Sequence, residues 1–150
     1  MISKSEILEM HLGGKIGVRL LRELETQKDL SIAYTPSVAE VCKIIEDDPS
    51  LAYRYTSKGN MVAVATDGTA VLGLGNIGAS ASIPVMEGKA VLFKRFGEVD
   101  AWPICVNYRV DGKTDVEKFI DHIAAETYYG GINLEDIAAP ACFDHATPID

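Results

Sequence analysis

Three glycines near the middle of the chain have the spacing of a phosphate-binding turn. Gly73, Gly75 and Gly78, in the stretch AVLGLGNIGAS, match the pattern G-x-G-x-x-G. This pattern binds a dinucleotide when a parallel strand precedes it and an uninterrupted helix follows it. An acidic residue is also expected about 20 positions later, and Glu98 satisfies that spacing. The chemistry that the glycines suggest is therefore the binding of a nicotinamide or flavin cofactor.

The residues around the glycines argue against a dinucleotide site. The apolar runs MVAVAT and TAVLGLG flank Asp67-Gly68, a dipeptide that favours hairpin turns because it tolerates positive φ. The pattern predicts an antiparallel hairpin, and Pro84 and Gly88 then leave little room for a helix. We therefore interpret the glycines as points of sharp turning or close backbone approach, and we rank a nucleotide site behind that interpretation.

The remaining elements indicate a mixed α/β domain. Capping boxes, in which a hydroxyl and a later carboxylate satisfy free amides, mark helix starts. Three such boxes are present: Ser3 with Glu6, Ser37 with Glu40, and Thr114 with Glu117. Pro49 suits the first position of a further short helix. The runs KAVLFKRF and AWPICVNYRV predict a second pair of strands, and GIN (131–133) predicts a short buried strand.

The composition is that of one globular domain. No apolar run among the 150 residues approaches the roughly 20 that span a bilayer, and the stretch MISKSEILEMHL lacks the long apolar core of a secretory signal. We therefore expect a cytoplasmic protein without membrane contact. Three cysteines without a C-x-x-C pair argue against disulfides and structural zinc and indicate buried thiols. The net charge of −8, without a basic cluster, argues against nucleic acid as a partner.

Three segments carry a more specific signal: DLSIAYTPSVAEVC (29–42), SKGNMVAVATDGTAVLGLGNIGASASIPVMEGKAVLFKRF (57–96) and GGINLEDIAAPACF (130–143). In this order and spacing they resemble the N-terminal domain of bacterial-type malic enzymes, the NAD(P)-dependent decarboxylating malate oxidoreductases. The resemblance covers roughly residues 13–143. It implies a mixed-sheet α/β fold with flanking helices and no complete Rossmann domain. It also assigns the glycine-rich stretch to the substrate side and nicotinamide binding to a separate domain.

The same resemblance implies the chemistry, in which malate is oxidised at C2, loses CO2 and is protonated at C3 to give pyruvate. Lys89, in MEGK, corresponds to the general base, and Tyr34, in AYTP, corresponds to the general acid. Glu135 and Asp136, in NLEDI, correspond to two metal ligands, and carboxylate oxygens suit Mg²⁺ or Mn²⁺. Without the resemblance, an exposed lysine at a strand start, a packed tyrosine and a solvated acidic turn would be the expected interpretations.

Some positions depart from the family pattern. Ser37 replaces a usual glycine and Val41 a usual proline, while Ala138 and Ala141 replace polar residues near the expected metal ligands. Loss of polar neighbours weakens the support of a metal site. The third metal ligand and the NAD(P)-binding domain correspond to segments that would follow Asp150, so we expect the isolated chain to be inactive.

Two hypotheses therefore describe residues 1–150. The first is the substrate and metal side of a malic enzyme, working with malate, a divalent metal and NAD(P). The second is a non-catalytic domain of the same fold that binds a ligand or a protein. In either case the resemblance implies a homodimer or a larger assembly, and a separate nucleotide-binding domain is a further candidate partner.

Overall fold

The computed structural model describes residues 1–107, Lys118, Asp121, 129–134 and 146–148. Five α-helices lie in these ranges: α1 (Lys4–His11), α2 (Gln27–Ala33), α3 (Val38–Asp47), α4 (Ala52–Tyr55) and α5 (Gly78–Gly97). Two 3-10 turns, Pro49–Leu51 and Ser57–Asn60, flank α4. Within these ranges, none of the helices is long and apolar enough to cross a membrane.

The described strands form a four-stranded mixed sheet. They are β1 (Met61–Thr66), β2 (Asp100–Cys105), β3 (Gly131–Leu134) and β4 (Ala146–Pro148), in the order β2-β1-β3-β4. The central strand β1 is parallel to β2 and to β3, whereas β4 is antiparallel to β3. The predicted mixed-sheet α/β fold is therefore confirmed.

Local capping explains the N-terminal helices. The predicted box at the start of α1 is formed, since the hydroxyl of Ser3 accepts from the Glu6 amide and the Glu6 carboxylate accepts from the Ser3 amide. The start of α3 is also correctly placed, but Ser37 makes no capping hydrogen bond with its side chain. Helix α2 was not predicted, although Thr26 and Asp29 form a box of the same kind.

The predicted hairpin after β1 is wrong. The chain leaves β1 through residues 67–77, in which Val71 and Gly75 form an isolated β-bridge in place of a paired strand. It then enters α5. Helix α5 returns the chain to β2, parallel to β1, so the three elements form a β–α–β unit. The pairing partner of β1 was mistaken because parallel pairing joins segments distant in sequence, whereas the hairpin signal is local.

The predicted strand KAVLFKRF is also wrong, because it lies inside α5. Ala79, Ser82, Met86 and Ala90 are buried and recur at helical spacing, and α5 packs with this face against β1 and β2. Pro84 lies inside this helix, where a proline removes a backbone hydrogen bond and crowds the preceding turn, and the helix forms nevertheless. Burial of one helix face therefore outweighs the local cost of proline and glycine.

The other predicted elements are confirmed where the structure describes them. The run AWPICVNYRV contains β2, and GIN is the core of β3. Pro49 starts a 3-10 turn, for which the Asp48 carboxylate accepts a hydrogen bond from the Ser50 amide. The predicted helix behind Thr114 falls almost wholly outside the described residues.

Candidate functional site

The parallel strands indicate one edge of the sheet as the candidate ligand-binding site. β1, β2 and β3 run in the same direction, so their carboxyl ends, Thr66, Cys105 and Leu134, meet at one edge. The N-terminus of α5, at Gly78, lies at this edge because α5 follows β1 through one loop. In open α/β sheets ligands bind outside the carboxyl ends of the strands. This edge is therefore the candidate functional site.

Asp67 begins the loop that closes this edge. Its carboxylate is fully buried and accepts hydrogen bonds from the Thr69 amide (3.0 Å) and the Thr69 hydroxyl (2.6 Å). A carboxylate is buried at a high cost unless such partners satisfy it. The sequence interpretation treated Asp67 as a hairpin residue and missed it as a site candidate. The available signal was an acid directly after an apolar strand.

Gly68 ties the two ends of the loop together. Its carbonyl accepts hydrogen bonds from the amides of Ile77 (3.1 Å) and Gly78 (3.0 Å). Its φ is +69°, and a Cβ at this position would clash with the Gly78 carbonyl. Only glycine satisfies both conditions without strain. The close backbone approach, which the sequence interpretation allowed for the motif glycines Gly73, Gly75 and Gly78, occurs at Gly68.

The three motif glycines have a different role. Gly73, Gly75 and Gly78 all have positive φ, and nothing lies within 4 Å of a Cβ added at any of them. They turn the chain, as expected, and they face open space. Both grounds for rejecting a dinucleotide turn are wrong, because β1 is parallel to its neighbours and a helix follows the glycines. The assignment of nicotinamide binding to a separate domain therefore depends on the family.

Lys89 lies on α5 and not at a strand start, so that expectation is corrected. It is half-buried and takes part in at least one polar or electrostatic interaction. It follows Ser82 by seven residues and Met86 by three, which places it on the flank of the buried helix face. The backbone around it is regular helix, so the position of the side chain is set by a rigid element.

Tyr34 is held by backbone hydrogen bonds between two helices. It ends α2, where its amide donates to the Leu30 carbonyl (2.9 Å), and its own carbonyl accepts from the Val38 amide (2.8 Å) at the start of α3. The residue is 67% exposed, so the packed aromatic alternative is wrong. The backbone of Tyr34 and that of Lys89 are thus each held by regular structure, and no hydrogen bond connects the Tyr34 hydroxyl to Lys89 in the described part of the chain.

The predicted metal ligands, Glu135 and Asp136, lie outside the described residues. They follow Leu134, the last residue of β3, in the sequence. Among the described residues, no group of three or more His, Cys, Asp or Glu side chains is arranged to hold a metal ion. The metal site therefore stays a prediction, and its fit is judged from the chemistry of two adjacent hard oxygen donors.

Two cysteines can be placed. Burial raises the pKa of the Cys105 thiol, and a hydrogen bond with Ser82 opposes that shift. A thiol with a raised pKa is a poor nucleophile, and Cys105 lies half-buried at the end of β2. Cys42 is exposed on α3, which corrects the expectation of buried thiols. Cys142 lies outside the described residues.

The fold and the edge together define an α/β domain built on a parallel β–α–β unit, with a closed glycine loop over the carboxyl ends of its strands. The chain belongs to the family described as malic enzyme, N-terminal domain, whose profile matches residues 13–147.

Individual relatives agree with the family. The chain is 54% identical over 144 residues to the NADP-dependent malic enzyme of Escherichia coli K12, covering 93% of this chain and 18% of that protein. It is 54% identical over 136 residues to the NAD-dependent malic enzyme of Geobacillus stearothermophilus, covering 90% of this chain and 27% of that one.

Solved structures confirm the fold. The crystal structure of malic enzyme from Pyrococcus horikoshii superimposes with a TM-score of 0.83 at 52% identity, covering 91% of this chain and 32% of that one. The chain spans about a third or less of the length of the curated relatives that it matches.

Proposed function

We propose that this chain supplies the substrate and metal side of a malic enzyme, which converts malate to pyruvate and CO2 with reduction of NAD(P)⁺. The family match over residues 13–147 supports the reaction class. The observation that carries the proposal is that Lys89, in the family motif MEGK, is half-buried on α5, the helix that connects β1 to β2. The dependence of relatives on NAD or NADP supports a nicotinamide cofactor for the complete enzyme.

Lys89 and Tyr34 divide the proton transfers in this proposal. Lys89 accepts the proton of the C2 hydroxyl of malate as hydride leaves C2 for the nicotinamide, giving oxaloacetate. Loss of CO2 leaves the enolate of pyruvate, and Tyr34 donates its phenolic proton to C3 to give pyruvate. General acid–base catalysis of this kind requires both groups within hydrogen-bonding distance of the substrate. The exposure of Tyr34 leaves its hydroxyl accessible to a ligand.

Glu135 and Asp136 would hold a divalent cation, Mg²⁺ or Mn²⁺. Two carboxylates fit such an ion because hard cations prefer oxygen donors. When bound, the ion supplies a positive charge that stabilises the enolate oxygen formed as CO2 leaves. In this proposal a third ligand comes from outside the described residues.

We also propose that the chain acts in the cytoplasm as a homodimer or larger assembly. The support for assembly is the apolar surface of α1 and the residues beside it. Helix α1 has no buried residue, and Leu8 and Leu12 are 61% and 85% exposed. Exposed large apolar side chains grouped in one segment are typical of a protein interface.

A chimaera tests the catalytic proposal. Residues 13–147 replace the corresponding segment of the NAD-dependent malic enzyme of Geobacillus stearothermophilus, and NADH formation from malate is followed with Mn²⁺ present. We expect the chimaera to be active. Lys89→Met should lower kcat by about 10²- to 10⁴-fold, the range for loss of a general base. Lys43→Met is the matched control, because Lys43 lies exposed on α3 and pairs only with its helix neighbour Glu40 in the described structure.

The outcomes separate the two hypotheses. An active chimaera that loses activity through Lys89→Met but not through Lys43→Met supports the catalytic assignment. A chimaera that folds, binds NAD⁺ and does not turn over malate supports the non-catalytic ligand-binding or protein-interaction domain instead. Equal activity of the two lysine variants would remove Lys89 from the mechanism.

A further inference from the structure

A second hollow lies at the opposite edge of the sheet. A cavity of about 740 Å³ is bounded by residues 15–21, by the second half of α5 and by the amino-terminal ends of β1 and β2. Met61 and Asp100, the first residues of these two strands, belong to its lining. Because the strands are parallel, this is the edge away from Asp67 and the glycine loop. The cavity is therefore separate from the candidate active site.

The helix that both sites share keeps them apart. Lys94 lines the cavity, and Lys89 precedes it by five residues, which at about 100° per residue places the two about 140° apart around the helix axis. Lys89 is absent from the lining of the cavity, as is Tyr34. A molecule in the cavity would therefore not occupy the proposed malate site.

One wall of the cavity is fixed to α5 by specific bonds. The Lys15 amide donates to the Glu87 carboxylate (3.0 Å), and the Lys15 ammonium donates to the Pro84 carbonyl (2.7 Å). Gly14, with a φ of +84°, brings the chain against the same Glu87 side chain. These contacts anchor the beginning of the segment 15–21 along the helix. One end of this wall of the cavity is therefore held against α5.

The lining has the composition of a small-molecule site. Apolar and aromatic side chains predominate, among them Ile16, Val18, Met61, Val91, Trp102 and Tyr129. Pockets for small ligands have volumes of about 300–1,000 Å³, with mostly apolar walls and a few polar groups that fix orientation. Trp102 is 38% exposed, so its indole ring is accessible. The volume and the walls suit a ligand with a flat apolar body.

The polar groups of the lining are mostly cationic. Lys15, Arg19, Lys94 and Arg95 line the cavity, and Asp100 is the one acid among the described residues of the lining. Lys15 is engaged by Pro84, and Lys94 pairs with Asp100 at 2.7 Å. In the described part of the chain, neither Arg19 nor Arg95 forms a hydrogen bond or an ion pair with its side chain. A chain of net charge −8 thus concentrates positive charge at this cavity.

We propose that this cavity binds a small organic anion with a flat apolar body, of the class of aryl carboxylates, sulfonates and phosphates. The body packs against Trp102 and Tyr129, where stacking and burial stabilise it. The anionic group pairs with Arg19 or Arg95, whose planar guanidinium groups match a carboxylate or phosphate. This site is additional to the proposed malate site and does not depend on it.

Fluorescence of the chain itself reports on the cavity, because Trp102 is the only tryptophan in the sequence. The probe is 8-anilino-1-naphthalenesulfonate, an aromatic anion of the proposed class. Trp102 is excited selectively, and energy transfer to bound dye is measured during titration of the 150-residue chain. We expect saturable binding with one dye per chain, and no displacement by malate. Trp102→Phe should abolish the transfer signal while leaving dye binding, measured by direct dye excitation, in place.

Two double variants with the same change in net charge decide the result. Arg19→Gln with Arg95→Gln should raise the dissociation constant of the dye at least about tenfold, as expected for loss of charge-assisted hydrogen bonds. Arg22→Gln with Arg54→Gln is the control, because neither residue lines the cavity, and its dissociation constant should stay unchanged. Circular dichroism spectra and Tm values confirm that all variants fold.

Three results would overturn the proposal. An equal rise of the dissociation constant in both double variants would mean that the dye responds only to overall charge. Unsaturable binding would place the dye on general apolar surface. Dye binding that is lost as protein concentration rises would show that a second copy of the chain covers the cavity. Failure here leaves the malic enzyme proposal unaffected, since that proposal is tested by turnover in the chimaera.

Discussion

At the scale of single residues, the candidate site is a set of positions fixed by backbone structure. Lys89 is held by α5 and Tyr34 by the junction of α2 and α3. The two residues were found through motifs of a family, since their types and spacing alone favour ordinary surface or packing roles. Asp67 was missed because a local turn signal explained it first. Its burial and its bonds with Thr69 depend on a loop conformation that propensity does not specify.

Tyr34→Phe tests the assignment of the general acid. The variant keeps the ring and removes the phenolic proton, so in the chimaera the exchange of pyruvate methyl protons with D2O should slow by about 10²-fold or more. Proton NMR of pyruvate measures this exchange. Tyr55→Phe is the control, because Tyr55 ends α4 and is a similarly exposed tyrosine. Unchanged exchange in Tyr34→Phe would mean that another group protonates C3.

The ion pair of Asp100 and Lys94 predicts a pH dependence of stability. A hydrogen bond from Lys94 lowers the pKa of Asp100, against the opposing effect of burial, and Asn60 and Arg19 contribute smaller effects. A carboxyl group with a lowered pKa in the folded state stabilises above its unfolded pKa. That stabilisation is lost as pH falls through the folded value. Because both side chains are more than 40% exposed, we expect no more than about 1 kcal/mol.

Asp100→Asn measures this contribution. Urea unfolding at pH 7 should show a lower free energy of unfolding for the variant, and the difference from the parent chain should shrink at pH 3. Asp47→Asn serves as the control, since Asp47 ends α3 without a hydrogen bond or ion pair of its side chain among the described contacts. A difference that is independent of pH would contradict an ionic origin.

At the scale of secondary-structure elements, the sequence predicted those that depend on local residues, and it did not predict those that depend on contacts distant in sequence. The capping box of α1 and the apolar run of β1 were sufficient to place both. The same local reasoning rejected α5, because Pro84 and Gly88 are poor helix residues. Helix α5 forms because Ala79, Ser82 and Met86 are buried against the sheet. A short stretch of sequence does not contain the strands that bury this face, so local patterns do not predict the helix. The parallel direction of β2 was missed for the same reason.

Substitutions at two positions distinguish a glycine that only lowers helix stability from a glycine that the backbone conformation requires. Gly88 lies inside α5, and nothing lies within 4 Å of a Cβ added there. Gly88→Ala should therefore raise the free energy of unfolding by about 0.5–1 kcal/mol. Gly68→Ala should lower it by more than about 1 kcal/mol, because the positive φ and the Gly78 carbonyl both oppose a Cβ. Thermal and urea denaturation of the two variants measure the opposite signs.

At the scale of the whole molecule, α5 connects two edges with different chemistry. Its N-terminus lies with the glycine loop and the buried Asp67, and its C-terminal half lines the cationic cavity. Among the residues that the structure describes, the exposed large apolar side chains are concentrated in the N-terminal part, where α1, α2 and α3 have no buried residue. Such helices gain stability mainly from packing of an apolar face. The isolated chain therefore presents a surface that assembly would complete.

The last prediction concerns this surface on α1. If a second copy packs against it, the chain should sediment as a dimer or larger species at micromolar concentration. Leu8→Glu with Leu12→Glu places two charges on exposed apolar positions, and a charge buried without a partner opposes association. We expect this double variant to sediment as a monomer with an unchanged circular dichroism spectrum.

Gln27→Glu with Lys28→Gln is the matched control for that experiment, since it changes the net charge by the same amount at the start of α2, outside α1. It should sediment like the parent chain, because a change in net charge alone does not cover or expose apolar surface. A parent chain that is monomeric across the concentration range would contradict assembly through α1. Dissociation of both variants alike would instead attribute assembly to electrostatics, because only the leucine variant alters the apolar face on which the proposed contact depends.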